Sequence, residues 1–304
     1  MAMKCIYPKP IRPGDRICVI DPANAFAKDG IRWMREFFTG KGFEVVFSED
    51  MAFRHGSPKE RAGRLNQVIR DERNRGIFCM WGGYGTMTLL DLVDYQALEV
   101  SRPIFSGFSD ITALHLGIGQ KTDLVTYHGP VLYSAKRPAT PEAMDLFLEM
   151  TAAPEAPRQF SNLGGQKMEI LKEGTCEGRL TGGNLTLISR LMGTPWEIDT
   201  RGKILFFEEV GERPYRLHGM LTQLAMAGKL KEAAGVVVGA LTDCDTPGRP
   251  GSALQLVREA LEDARGPVVC GVNAGHIGDS LTIPMNAPAR LEAAGNDICF
   301  QTLP

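Results

Sequence analysis

Pro103-Ile104-Phe105-Ser106-Gly107-Phe108-Ser109-Asp110, followed by the helix-like run Ile111 to Gln120, decides how this chain reads. The apolar run has strand character, and a serine follows on a tight turn before a helix. Such a turn thrusts a hydroxyl out of a sheet edge, above the N–H groups of a helix start. It suits a nucleophile whose reaction builds negative charge on a neighbouring oxygen. The spelling differs from the G-x-S-x-G elbow of the α/β-hydrolases, because Ile111 stands where the second glycine belongs. A plainer reading is open too: Ser109 N-caps the helix and Asp110 favours its dipole.

Outward from this turn, short apolar runs alternate with amphipathic ones. Strands are predicted at Ile17–Ile20, Phe43–Phe47, Ile77–Trp81, Ile104–Ser106 and Leu124–Tyr127. Helices are predicted at Ile31–Thr39, Pro58–Glu72, Met87–Asp94, Ile111–Gln120 and Pro141–Met150. This alternation implies an α/β fold with a parallel sheet, flavodoxin- or Rossmann-like, whose ligands bind beyond the carboxyl ends of the strands. Ser109 and the glycines of Gly82-Gly83-Tyr84-Gly85 follow strands directly and belong on that rim. Proline, alanine and glycine then break the pattern from Thr151 to Gly165. The expected division is an N-terminal domain at 1–151, a linker at 152–165 and a C-terminal domain at 166–304. In the second half, strands are predicted at Met168–Leu171, Gly178–Thr181, Lys203–Phe207, Gly235–Val238, Val268–Cys270, Leu281–Ile283, Ala289–Ala293 and Ile298–Thr302. Helices at Leu185–Met192, Pro214–Ala227 and Ser252–Ala264 complete a β-rich, barrel-like α/β domain.

Bulk properties narrow the function. A chain of 304 residues with 43% hydrophobic and 23% charged residues is globular with ample core. A net charge of −2 argues against a sequence-independent nucleic-acid binder or an anionic-membrane binder. Met1 to Arg16 holds no apolar run of the signal-peptide kind, and no stretch reaches the ~18 apolar residues of a membrane span. The 7 cysteines are odd in number and contain no C-x-x-C pair, as reduced thiols of a cytoplasmic protein would. The sequon at Asn184-Leu185-Thr186 carries no weight without a secretory signal.

Several groups could carry chemistry. Trp81-Gly82-Gly83-Tyr84-Gly85-Thr86 lacks both the G-x-G-x-x-G order and a following G-K-[ST], so a nucleotide cradle is weakly supported. Gly82 and Gly83 could present bare N–H groups to a substrate oxygen, or form a turn with no ligand. A serine nucleophile needs a base, usually histidine. Among His55, His115, His128, His218 and His276, the residues leave His128 and His276 open, each near a presumed strand end. His115 should point away from the turn, His55 lies in a loop and His218 falls on an amphipathic helix. Glu208 and Glu209 end an apolar strand and point to opposite faces, so one of them can orient the base. Asp243-Cys244-Asp245 precedes Thr246-Pro247-Gly248 and reads as a turn before it reads as a metal site.

Taken in order, these segments resemble the LD-carboxypeptidases, serine peptidases that include the microcin C immunity peptidases. The resemblance spans nearly the whole chain. It is carried by Asp21-Pro22, by Gly82 to Thr86, by Gly107 to His115, by His128-Gly129-Pro130 and by Gly182-Gly183-Asn184-Leu185. It continues through Leu191 to Pro195, Phe207 to Glu212, Pro214-Tyr215-Arg216, Gly275 to Gly278 and Leu281 to Pro284. It implies Ser109 as nucleophile, His276 as base, Glu208 as orienting acid, and backbone donors at Gly83 and Asp110 for the oxyanion. It also implies substrate contacts near Gly82, Trp81, Tyr84 and Arg216, no metal or organic cofactor, a small peptide substrate and a homodimer. Two departures bear on the substrate. Trp81 replaces the family's usual arginine, and Leu217-His218-Gly219 replaces the usual Ile-Asp-Arg. Charges that could hold a peptide carboxylate are thereby missing. The implied reaction is hydrolysis of an L-to-D amide bond, such as release of D-alanine from a cytoplasmic murein tetrapeptide. Cleavage of aminoacyl- or peptidyl-nucleotide conjugates is the alternative, and a non-catalytic small-ligand binder is the alternative of another class.

Overall fold

The computed structural model describes residues 5–23, 28–48, 56–130 and 137–303. The first half runs β1 (Arg16–Ile20), α1 (Lys28–Gly40), β2 (Glu44–Phe47), α2 (Pro58–Arg70), β3 (Asn74–Cys79), α3 (Tyr95–Ser101), β4 (Ile104–Gly107), α4 (Thr112–Thr122), β5 (Thr126–His128) and α5 (Pro141–Ala152). The second half begins with β6 (Glu169–Lys172), β7 (Gly174–Asn184), α6 (Leu185–Leu191), β8 (Ile204–Val210), α7 (Pro214–Met226) and α8 (Lys229–Glu232). It ends with β9 (Gly235–Thr242), α9 (Ser252–Ala260), β10 (Val268–Cys270), β11 (Ile283–Met285), β12 (Pro288–Ala294) and β13 (Asp297–Thr302). Among the described residues, no helix is long and apolar enough to cross a membrane.

Two sheets organise these elements. In the first, the order is β2-β1-β3-β4-β5, all parallel, which is the flavodoxin-like arrangement. β11 adds an antiparallel edge, with Ile283 opposite His128. The second sheet has the order β13-β12-β7-β8-β9-β10-β6, parallel at its centre and antiparallel at its ends. The long strand β7 pairs with β12 over residues 174–179 and with β8 over 180–184. The sheet curls enough to bring β6 back towards β12, giving a half-barrel.

Alternation along the strands explains the layering. In β1, Ile17 and Val19 face one core cluster and Cys18 and Ile20 the other. Met34 and Phe38 of α1 and Phe147 of α5 cover the first face; Leu65 of α2, Leu98 of α3 and Leu114 of α4 cover the second. β8 alternates likewise, with Phe206 in the first cluster and Leu205 and Phe207 in the second. Each cluster therefore runs through both sheets, and the half at 166–304 lends β11 to the sheet of the half at 1–151.

Local chemistry sets the helix starts. Ser57 and Glu60 form a reciprocal capping box before Pro58 at the start of α2. The helix expected at Met87–Asp94 is replaced by a 3-10 turn at Thr86–Leu89. The true helix starts one residue after Asp94, whose side chain accepts a hydrogen bond from the N–H of Ala97. Asp94, expected as the last residue of a helix, is the cap of the next. Similarly, the strand expected at Leu281–Ile283 slips to Ile283–Met285, where it meets β5.

Candidate active site

The Ser109 turn is built at the end of β4. Ser109 opens a 3-10 turn over Ser109–Ile111 with φ 59°, in the left-handed region. A non-glycine residue there costs roughly 1–2 kcal/mol, and such strain collects at functional sites. Neither this turn nor α4 carries a side-chain capping bond at its start, so Ser109 is not a helix cap. Gly82, after β3, packs directly on the serine. A Cβ at Gly82 would sit 2.6 Å from Ser109 Cβ and 2.9 Å from its Oγ, so only glycine fits. Gly83 follows, exposed, with φ 102°. The two loops are tied together by Asp110, whose Oδ2 accepts from the Thr86 N–H at 2.9 Å, while Thr86 Oγ1 donates to the Asp110 carbonyl at 2.6 Å. Burial raises the Asp110 carboxyl above its usual range, against the pull of these bonds and of Arg61. Arg61 itself donates to the carbonyls of Pro22 and Gly85 and to Thr88 Oγ1, clamping the loops after β1 and β3.

Glu208 and His276 come from the second sheet and the loop that follows its strand β10. Glu208, near the end of β8, is fully buried. Its Oε2 lies 2.7 Å from His276 Nδ1, and its Oε1 accepts from Asn184 Nδ2 at 3.2 Å. Burial acts most strongly on Glu208 and pushes its pKa up. The opposing charge and hydrogen bond of His276, with help from His128 and Asn184, outweigh that push and leave it lowered. Burial likewise pulls His276 down, but the charge and hydrogen bond of Glu208 win and its pKa is raised. Gly275 makes this contact possible, since a Cβ there would meet Glu208 Oε2 at 2.7 Å. Across the cleft, the ring of Phe108, beside Ser109, lies edge-on to His276 with centroids 5.1 Å apart. The segments carrying Ser109, Glu208 and His276 thus converge where the two sheets meet.

The neighbouring candidates sort by their partners. Glu209 points the other way: its Oε2 accepts from the Thr186 N–H and Oγ1, and its Oε1 accepts from Asn184 and from its neighbour Val210. It anchors the start of α6, and burial raises its pKa. His115 is buried, with Nδ1 on Thr126 Oγ1 at 2.8 Å and Nε2 on the Gly107 carbonyl at 3.0 Å. Its ring is expected to point away from the turn at Gly107 to Asp110, and instead it supports that turn through the Gly107 carbonyl, because residue 115 sits one helical turn along α4, back over β4. His218 is exposed on α7, and His55 lies outside the described residues. Asp245 accepts from the N–H groups of Gly251 and Ala253 and so forms the turn before α9. Tyr84 is 58% exposed beside the glycines. Arg216 is exposed on α7, within 3.7 Å of Glu212 and hydrogen-bonded to Tyr215 Oη. Asn184, which the sequence marks within Gly182-Gly183-Asn184-Leu185 and as a sequon, is given no role at the site by the sequence. It bonds both Glu208 and Glu209, and its own N–H donates to Thr112 Oγ1 of α4 at 2.9 Å. The signal was present in Gly182-Gly183-Asn184, two glycines and a capping residue at a strand end.

Comparison with known proteins agrees with this architecture. Residues 17–129 match the LD-carboxypeptidase N-terminal domain, and residues 177–291 match the LD-carboxypeptidase C-terminal domain. The chain is 34% identical over 300 residues to the probable murein peptide carboxypeptidase of Bacillus subtilis, covering 94% of this chain and 92% of that protein. It is 25% identical over 322 residues to the microcin C7 self-immunity protein of Escherichia coli, covering 95% of this chain and 94% of that protein. The solved muramoyltetrapeptide carboxypeptidase of Oxalobacter formigenes superposes with a TM-score of 0.81 at 26% identity, over 94% of this chain and 98% of that one. The microcin C7 self-immunity protein in complex with aspartyl sulfamoyl adenosine superposes with a TM-score of 0.87 at 24% identity, over 98% of this chain and 99% of that one, a likeness of fold. With both of its domain patterns matched in order and a relative at 34% identity along nearly its full length, the chain belongs to the LD-carboxypeptidase family.

Proposed function

We propose that this protein is a serine LD-carboxypeptidase that releases a terminal D-amino acid from a murein tetrapeptide, with Ser109, Glu208 and His276 as its triad. The observation that carries the reading is the buried 2.7 Å Glu208–His276 pair, packed through Phe108 against the strained Ser109 turn. Nδ1 of His276 is engaged by Glu208, which leaves Nε2 to take the Ser109 proton. Ser109 Oγ attacks the amide carbonyl, and the oxyanion is received by the backbone N–H groups of Gly83 and Asp110. His276, now an imidazolium stabilised by Glu208, protonates the leaving amine. Water then enters, loses a proton to His276 and releases the acyl group from Ser109. Nucleophile and oxyanion donors come from the first half of the chain and the acid–base pair from the second. The reading extends to a cytoplasmic location, consistent with seven free cysteines, and to a homodimer, which sedimentation velocity tests.

The test is mass spectrometry of products from a murein tetrapeptide, its tripeptide and an aminoacyl-sulfamoyl adenosine, each with native and Ser109→Ala protein. Loss of one D-alanine from the tetrapeptide alone, abolished in Ser109→Ala, is the expected result. Unimpaired turnover by that variant would remove Ser109 from the mechanism. A second reading, cleavage of nucleotide conjugates, is favoured by aromatic surface at the site: Tyr84 is 58% exposed, and Trp81 stands where a charged side chain would hold a carboxylate. Turnover of the sulfamoyl adenosine conjugate alone would establish it.

A further inference from the structure

We propose that His128 is a positioning residue for the triad acid: its buried imidazole presents Nε2–H to Oε1 of Glu208, the carboxylate oxygen that His276 does not use. This rests on the triad assignment above. His128 Nε2 lies 3.9 Å from Glu208 Oε1, with side-chain exposures of 1% and 0%. Both ring nitrogens of His128 lack a hydrogen-bond partner. Burying a polar ring with nothing bonded to it costs stability, and such a group calls for a reason. Its position is not adjustable. β5 is held between β4, with Gly107 in register, and β11, with Ile283 in register. The ring of Phe206 packs edge-on at 5.2 Å, so the imidazole is fixed between the two sheets.

The surroundings select the form of the ring. Glu208 faces it from β8, His276 from the loop after β10, and His115 from α4 at a ring distance of 6.1 Å. Burial dominates and pulls His128 down to about 4; Glu208 opposes this and His276 adds to it. The ring is therefore neutral at neutral pH, with one N–H and one lone pair. A carboxylate oxygen only accepts, so the tautomer with the proton on Nε2 is the one that fits. At 3.9 Å this is a charge–dipole contact rather than a hydrogen bond. A lysine or arginine in its place would neutralise Glu208 and weaken its hold on the His276 imidazolium. An apolar side chain would leave Oε1 to Asn184 alone. Beyond this pair, Glu209 and Arg137 also act on His276, in opposite directions.

The experiment combines kinetics with imidazole spectroscopy on the full chain. His128→Phe keeps the ring shape and removes the dipole. It should lower kcat roughly tenfold with KM little changed, the loss of one buried polar contact made stronger in the transition state. Removing the positive end of a dipole raises proton affinity nearby, so the acid limb of kcat/KM should move to higher pH. His128→Gln, which returns a donor, should restore most of both. In native protein, 15N-histidine spectra should show His128 neutral and protonated on Nε2 from pH 6 to 8. Native kcat and an unmoved limb in folded His128→Phe, or a proton on Nδ1, would overturn the assignment. Should His128→Phe fail to fold, His128→Gln kinetics and the native spectra decide. A dead Ser109→Ala alongside an unaffected His128→Phe sinks only this inference; an active Ser109→Ala sinks the triad and this role with it.

Discussion

At the end of β4, Ser109 is held by backbone geometry: a positive φ, a glycine pressed against its Cβ, and loops laced by Asp110 and Arg61. At the end of β8, Glu208 is held by burial and charge: no exposed surface, one histidine on Oε2 and an asparagine on Oε1. The Ser109 region stores conformational strain, and the Glu208–His276 region stores electrostatic tension. The first fails when a side chain grows; the second fails when a charge is removed.

That contrast can be broken at four places. The largest effect should come from Glu208→Gln, which keeps the shape and loses the charge. About 10⁴-fold in kcat is expected, because the imidazole loses both orientation and its counter-charge. Glu209→Gln, one residue along, should instead leave kcat within a few-fold and lower unfolding free energy by about 1–3 kcal/mol. If both variants lost activity equally, the division of labour between these two acids would be wrong. Next, Gly82→Ala should lower kcat about a hundredfold by displacing Ser109, with about 1–3 kcal/mol of lost stability from overpacking. A fully active Gly82→Ala would mean that the turn is far softer than its geometry states.

The smallest effect separates the buried histidines by pH. His115 is pulled down to about 3 and His128 to about 4, both chiefly by burial, from an unfolded value of 6.5. The unfolded chain takes up protons first, so their stability is complete above pH 6.5 and is lost as pH falls towards those values. The slope is about 1.4 kcal/mol per pH unit for each histidine. His276, whose folded pKa is raised, acts oppositely: its stabilisation is present below 6.5 and fades as pH rises through the folded value. Urea midpoints at pH 7, 6 and 5 should therefore fall towards acid, and His115→Gln should flatten the fall. A flat profile in native protein would contradict the buried neutral rings.

Much of this was legible in the sequence because the first sheet is written in local patterns. The runs at 17–20 and 104–106 are apolar on both faces, as buried parallel strands must be, and the turn at Gly107 to Asp110 follows one directly. Ser109 is ambiguous in the sequence because a cap and a nucleophile use the same residue type at the same place; the positive φ and the missing capping bond exclude the cap. The choice between His128 and His276 was not local at all. It depends on how β5 of the first sheet faces β8 of the second and on which oxygen of Glu208 each ring approaches, and family resemblance favours His276 where periodicity cannot. The role of Asn184 is not legible for the same reason: its two carboxylate partners lie 24 and 25 residues away.

β11 has one further implication. The segment carrying His276 leaves the half-barrel at Cys270 and is stitched into the other sheet at Ile283. Cutting the gene at the proline- and glycine-rich segment would not yield two independent pieces. The fragment ending near residue 151 would expose the bare edge of β5, whose unpaired N–H and C=O groups invite association with another chain. Co-expressed halves, by contrast, carry their own adhesive strand and should find each other. The protein is thus suited to use as a split reporter whose reassembly is read out directly as restored peptidase turnover.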